Sequence, residues 1–179
     1  MNLAFPLLAF ATAFAVAARA ADAPLLTDVR VKEIAARTYL CAKKELKLPE
    51  MAEFAPAAIT RLMKTATELK LSQGGPVIFT YLGFYGDPTQ TFTAEIGVPI
   101  PKGEAVPAND DHYVREAAKF KCAAAIFQGP LNKIGEAWQT FAGSAIAKGE
   151  PTGESRELYL YFEAVDSPNN IVELQMGLK

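Results

Sequence analysis

The chain predicts an α+β fold made of two successive strand-helix-strand-strand (βαββ) modules, with antiparallel strands and one helix in each. Three observations predict it. The same order of elements recurs at a spacing of about 80 residues. Each half holds one stretch with helical apolar spacing, set among stretches that alternate with period two. Each half also carries a strand with a glutamate at its centre, Glu95 in the first and Glu173 in the second. At 179 residues, half of them hydrophobic and with no long charged run, the chain suits one domain or two small modules sharing a core.

In order, Val29 to Leu40 reads as a strand, irregular around Ala35-Ala36. Ile59, Leu62, Met63, Ala66 and Leu69 recur at helical spacing and predict an amphipathic helix from about Ala55 to Lys70. Ser72-Gln73-Gly74-Gly75-Pro76 is the expected stop, because glycine ends helices and proline cannot continue them. Val77 to Phe84 and then Thr91 to Val98 are strands, joined by a turn at Gly86-Asp87-Pro88. The polar, proline-rich run from Pro99 to Asp111 reads as the connection between modules, placing them at about 29–101 and 112–179. The second half repeats the first. Val114 to Phe127 is a strand, Gly129-Pro130 opens a helix with Leu131, Ile134, Ala137, Trp138, Phe141 and Ala145 on its apolar stripe, and Gly149 to Gly153 ends it. Leu158 to Glu163 and Asn170 to Met176 are the last two strands, turned at Asp166-Ser167-Pro168-Asn169.

The apolar run from Leu3 to Ala18, followed by Ala18-Arg19-Ala20, reads as a signal peptide over residues 1–21 with an A-x-A cleavage site. At about 16 residues it is short for a membrane span, which needs about 20; a retained anchor is the alternative. The expected mature chain is then 22–179, periplasmic or secreted, with no membrane attachment after cleavage. In an oxidising compartment Cys41 and Cys122 could pair, or remain two buried apolar thiols. A net charge of −2 argues against nucleic acid as a partner. One histidine and two distant cysteines make no recognisable metal site, no cofactor is implied, and no catalytic triad can be assembled.

If each helix covers one face of its sheet, the other face needs a ligand or the partner half to cover it. Phe79, Tyr81 and Glu95 in the first half, and Tyr159, Tyr161 and Glu173 in the second, carry the alternation phase expected of that opposite face. Rings with carboxylates in a partly dry site suit a lipophilic or cationic small molecule, through dispersion, cation–π attraction and charge compensation.

Several short motifs then resemble the GyrI-like small-molecule-binding domain, which also serves as the effector domain of AraC-type and multidrug-sensing regulators. They are Gly74-Gly75-Pro76 with Tyr81, Glu95-Ile96-Gly97-Val98-Pro99, Phe127-Gln128-Gly129-Pro130-Leu131, and Gly149-Glu150-Pro151 before Glu157-Leu158-Tyr159. The resemblance covers about Val29 to Leu178. It implies two βαββ modules related by a pseudo-twofold axis with a ligand groove between them, Glu173 in that groove, Glu95 as its counterpart, and Tyr81 and Tyr159 or Tyr161 near it. No helix-turn-helix module accompanies the domain.

The expected function is that of an exported binding protein, more readily non-catalytic than an enzyme. Two alternatives remain: a hydrolase of strained electrophiles with Glu173 as base and Tyr161 or Tyr159 as acid, and a module that docks another protein.

Overall fold

The two stretches expected to be single strands before each helix are each broken in the middle, and those breaks set the shape of the molecule. The computed structural model describes residues 25–179, so the signal-peptide reading lies outside the described residues. Strands β1 (Leu25–Leu26) and β2 (Arg30–Ile34) lead into β3 (Arg37–Leu46), helix α1 (Met51–Glu68), β4 (Val77–Leu82) and β5 (Phe92–Ile100). A second lead-in strand, β6 (Tyr113–Ala117), precedes β7 (Phe120–Gln128), helix α2 (Ile134–Ile146), β8 (Pro151–Tyr161) and β9 (Ile171–Leu178). The mixed α+β class and the repeated order are as the sequence predicts.

All nine strands form one antiparallel sheet in the order β1-β7-β9-β8-β4-β5-β3-β6, with β2 also paired to β7. The two halves join through β4 and β8. Each lead-in strand crosses to the other half. Although β2 precedes β3, it pairs with β7, from Arg30↔Ala124 to Ile34↔Phe120; β6 precedes β7 but pairs with β3, from Arg37↔Ala117 to Cys41↔Tyr113. Only Ala35-Ala36 and Ala118-Lys119 connect these strands, and two residues span about 7 Å. The two ends of the sheet must therefore meet. The sheet curls into a half-barrel.

Both helices lie on the same face, α1 over β3 and β5 and α2 over β7 and β9. Leu62 of α1 packs on Leu40, Ile96 and Val98, and Phe141 of α2 on Phe127, Val172 and Leu174, all essentially without exposure. Among the described residues no helix covers the other face, yet Cys41, Ile78, Thr80, Cys122 and Gln175 on it are buried. The sheet itself encloses them, which makes this face the concave one.

Helix α1 begins one turn earlier than predicted and runs through Pro56. A 3-10 turn at Leu48–Glu50 leads into it, with the Lys47 amide donating to Glu50 Oε2 at 2.8 Å. Phe54 and Ala55 are buried in the core, which rewards the additional turn, while Pro56 itself faces solvent. The helix also ends before the expected glycines. The Leu71 amide donates to Ala66 O and the Lys70 amide to Thr67 O, a Schellman closure with Lys70 in the left-handed position at φ 55°.

Candidate functional site

Where β4 and β8 pair, on the helix face and between the two cores, one carboxylate is surrounded by aromatic side chains. Glu157 on β8 is 4% exposed. It accepts hydrogen bonds from Tyr81 Oη (2.9 Å), Tyr159 Oη (2.9 Å) and Trp138 Nε1 (2.6 Å). The fold brings these donors together for simple reasons. Tyr159 is two residues from Glu157 on the same strand, so both side chains share a face. Phe79 is directly opposite Glu157 on β4, and Tyr81 is the next residue along that face. Trp138 comes from the apolar stripe of α2 and packs edge-on against Phe141 at 5.2 Å.

Burial pushes the Glu157 carboxyl above its usual range, opposed by the hydrogen bonds from Trp138, Tyr81 and Tyr159. Burial, followed by the negative charge of Glu157, likewise raises both tyrosines. The phenols therefore stay protonated and act as donors.

Beside this cluster lies an open cavity of about 460 Å³, lined by Met63 of α1, Gln73, Gly75, Pro76, Val77, Val98, Tyr159 and Leu160. Tyr159 belongs to both. Its hydroxyl holds Glu157, and its ring packs on Phe79 at 4.4 Å between centroids while facing the cavity. The result is an apolar recess with a buried negative charge behind one aromatic wall.

Of the side chains the sequence singles out, Phe79, Tyr81 and Tyr159 meet here, on the helix face and not on the opposite one. That corrects the expected phase: these three lie on the face that carries α1 and α2, and the cavity opens beside them, between α1, the loop at 73–76 and the end of β8. Glu95 and Glu173 are on the concave face. Glu95 is paired with Arg115 (2.7 Å) and accepts from Tyr113 Oη, whereas Glu173 is paired with Lys32 (2.6 Å) and accepts from Gln175 Nε2. Neither faces the cavity. Tyr161 is half-exposed and outside the cluster because β8 bulges: Tyr159 opposes Val172 and Tyr161 opposes Ile171, leaving Leu160 as the extra residue.

Glu157 is the buried carboxylate that the sequence reading does not single out. The apolar pattern predicts a strand from Leu158, which leaves Glu157 outside it, but β8 begins seven residues earlier at Pro151. The signal was available in the alternation Glu157-Leu158-Tyr159, which puts the carboxylate and the phenol on one face. Trp138 was assigned to the core on helical spacing; it is half-buried there and donates to Glu157 as well. Cys41 and Cys122 are both buried free thiols.

The two-module α+β half-barrel with a cavity beside its central strands is the fold of a class of small-molecule-binding domains. The chain belongs to the GyrI-like small molecule binding domain family, which matches residues 27–179. Among solved structures, it resembles the EcmrR C-terminal domain (TM-score 0.68, 15% identity, covering 85% of this chain and 97% of that one). In the EcmrR–DNA complex the match spans 56% of the longer EcmrR chain. It also resembles SAV2435 bound to tetraphenylphosphonium (TM-score 0.55, 15% identity, 86% and 94% covered) and a hydrolase from Listeria innocua (TM-score 0.57, 10% identity, 83% and 90% covered). No curated protein matches the chain.

Proposed function

We propose that the cleft formed by this cavity and the aromatic cluster beside it captures a lipophilic, cationic small molecule, with Glu157 supplying the compensating charge and Phe79, Tyr81, Trp138 and Tyr159 the aromatic contacts. The observation that carries this reading is a fully buried carboxylate held only by neutral donors beside an apolar cavity. A buried charge without a cation is costly, so a cation that arrives with its own apolar surface recovers both the Coulomb energy and the area term. Tetraphenylphosphonium, the ligand of the similar SAV2435, has this chemistry. Binding is favoured over hydrolysis because the Glu157 oxygens already accept three hydrogen bonds, which leaves this carboxylate poorly placed to take a proton from water. The apolar run at Leu3–Ala18 supports action outside the cytoplasm, and N-terminal sequencing of the protein recovered from cell fractions tests that.

Trp138 is the only tryptophan, so its fluorescence reports on the cleft. A titration with tetraphenylphosphonium, alongside a neutral analogue such as tetraphenylmethane derivatives made soluble by polar groups, should show saturable quenching and thermal stabilisation by the cation alone. Glu157→Gln should abolish that preference. Equal binding of cation and neutral analogue by the wild type would overturn the charge role, and no binding of either would overturn the reading.

A further inference from the structure

The concave face carries a second cluster that the cleft does not use. One cross-strand row there reads Glu95↔Thr80↔Arg156↔Gln175, continuing to Ala124. Arg156 is 5% exposed and lies flat on Phe120, with its guanidinium carbon 3.5 Å from the ring centroid. Its Nε donates to Glu154 at 2.7 Å, and among the described residues its two terminal nitrogens have no hydrogen-bond partner. Glu154 also faces Arg115 Nη2 at 3.8 Å, across the half-barrel from β6. Apart from Glu95 Oε1, which is ion-paired with Arg115 at 2.7 Å, three buried side-chain atoms beside this arginine pair lack a hydrogen bond: Thr80 Oγ1, Gln175 Oε1 and Arg115 Nε.

Buried polar atoms are nearly always satisfied, and a ladder of ion pairs that served only to close the sheet would not leave three unsatisfied side by side. Arg115 Nε is a donor, Gln175 Oε1 an acceptor, and the Thr80 hydroxyl can serve as either. The phenylalanine occupies the face of the Arg156 guanidinium and Glu154 one edge, a fork of the kind that grips a carboxylate bidentately. Glu154 is the loosest member of the cluster, with a quarter of its side chain exposed and 3.8 Å from Arg115. Turned out to solvent, it gives up both volume and one negative charge between the two arginines.

We infer that the concave face is a second ligand site, separate from the cleft, that takes a small 2-hydroxycarboxylate in place of Glu154. The incoming carboxylate spans the guanidinium edge that Glu154 vacates, at Arg156 Nε and the terminal nitrogen beside it, and reaches Arg115 Nε, and the Thr80 hydroxyl donates to it. The adjacent 2-hydroxyl donates to Gln175 Oε1. Charge balance is kept because one carboxylate replaces another. The site selects against the same acid without its hydroxyl, since Gln175 Oε1 would then stay buried and unpaired.

The test is a titration of the full ¹⁵N-labelled chain with glycolate and with propionate, its isostere lacking the hydroxyl, following the Gln175 side-chain amide. Glycolate should give a saturable shift at least about tenfold tighter than propionate. Glu154→Ala, which removes a partly exposed internal competitor, should tighten glycolate about tenfold, and Arg156→Lys, which keeps the charge but loses the fork, should weaken it by at least as much. The absence of saturable shifts in both wild type and Glu154→Ala would overturn the site, and so would equal affinity for the two acids that Arg156→Lys leaves unchanged. Glu154→Ala decides the matter even if Arg156→Lys fails to fold.

Discussion

Tyr81 and Glu157 occupy equivalent positions in the two halves and hydrogen-bond to each other. The β4–β8 register pairs Phe79 with Glu157 and Tyr81 with Ser155, pairs that a twofold axis beside Thr80 and Arg156 exchanges by carrying Tyr81 onto Glu157. Their contact at 2.9 Å therefore spans the pseudo-twofold axis. A repeat that kept a carboxylate at both places would bury two like charges side by side; with a phenol in one of them the pair becomes a donor and an acceptor.

Glu157 gives the first prediction. Burial raises its folded-state value above the unfolded one, so the folded protein holds the proton more tightly and the stability tied to it is full at low pH. That stability should fall as pH rises from the ordinary carboxylate range through the raised folded value, with a slope of at most about 1.4 kcal/mol per pH unit for a single site. Urea unfolding of wild type and Glu157→Gln across pH 4 to 8 checks it: their stability difference should move in favour of the glutamine variant with rising pH and then level off. Cation binding should have the opposite trend, tightening as Glu157 ionises.

Glu173 separates the two faces. Its carboxylate points into the concave side and is tied to Lys32 at 2.6 Å, so Glu173→Gln should leave cation affinity in the cleft within about twofold of wild type. Lys32→Met should cost stability instead, because it strands a mostly buried carboxylate and unfastens β2 from the sheet. Since Lys32 is more than a third exposed, about 1–2 kcal/mol is expected, less than the loss of a fully buried pair. Denaturant midpoints measure the second effect and the fluorescence titration the first.

The two thiols give a third prediction. Cys41 and Cys122 both lie on the concave face, opposite Gly97 and Gly177 respectively; a side chain at Gly97 would meet Cys41 Sγ at 3.3 Å, and one at Gly177 would meet Thr152 and Phe120. Burial raises both, Cys122 to about 11, so little thiolate exists at neutral pH. A thiol reagent should modify the native protein at least about a hundredfold more slowly than the unfolded chain, and it should titrate two thiols after unfolding without a reductant.

What the sequence makes legible here is local, and what it hides depends on pairing partners. The helical stripes from Ile59 to Leu69 and from Leu131 to Ala145, with the alternation around Glu95 and Tyr159, place both helices and the central strands. Nothing in Val29–Leu40 says that its first part belongs beside Phe120–Ala124, since both readings give the same period-two pattern. That exchange is what curls the sheet and turns the face that carries Glu95 and Glu173 to its inside, where Arg115 and Lys32 pair with them. Glu157 was hidden for a smaller reason: Pro151, Gly153 and two charged residues interrupt the apolar pattern at the start of β8, so the strand reads as beginning after it.

Lys70 supplies a prediction independent of ligands. It closes α1 from the left-handed region at φ 55°, where its Cβ crowds the following carbonyl, and glycine adopts that conformation without the clash. Lys70→Gly also gives the unfolded chain more freedom, which offsets part of the gain. Relief of the clash outweighs this at a C′ position, so the variant should be more stable by about 0.5–1 kcal/mol. Lys70→Ala keeps the clash and should show no gain, which separates backbone relief from removal of a charge near the helix end. Thermal unfolding of the two variants beside wild type decides it, and a gain of similar size in Lys70→Ala would show that the charge, not the backbone, was responsible.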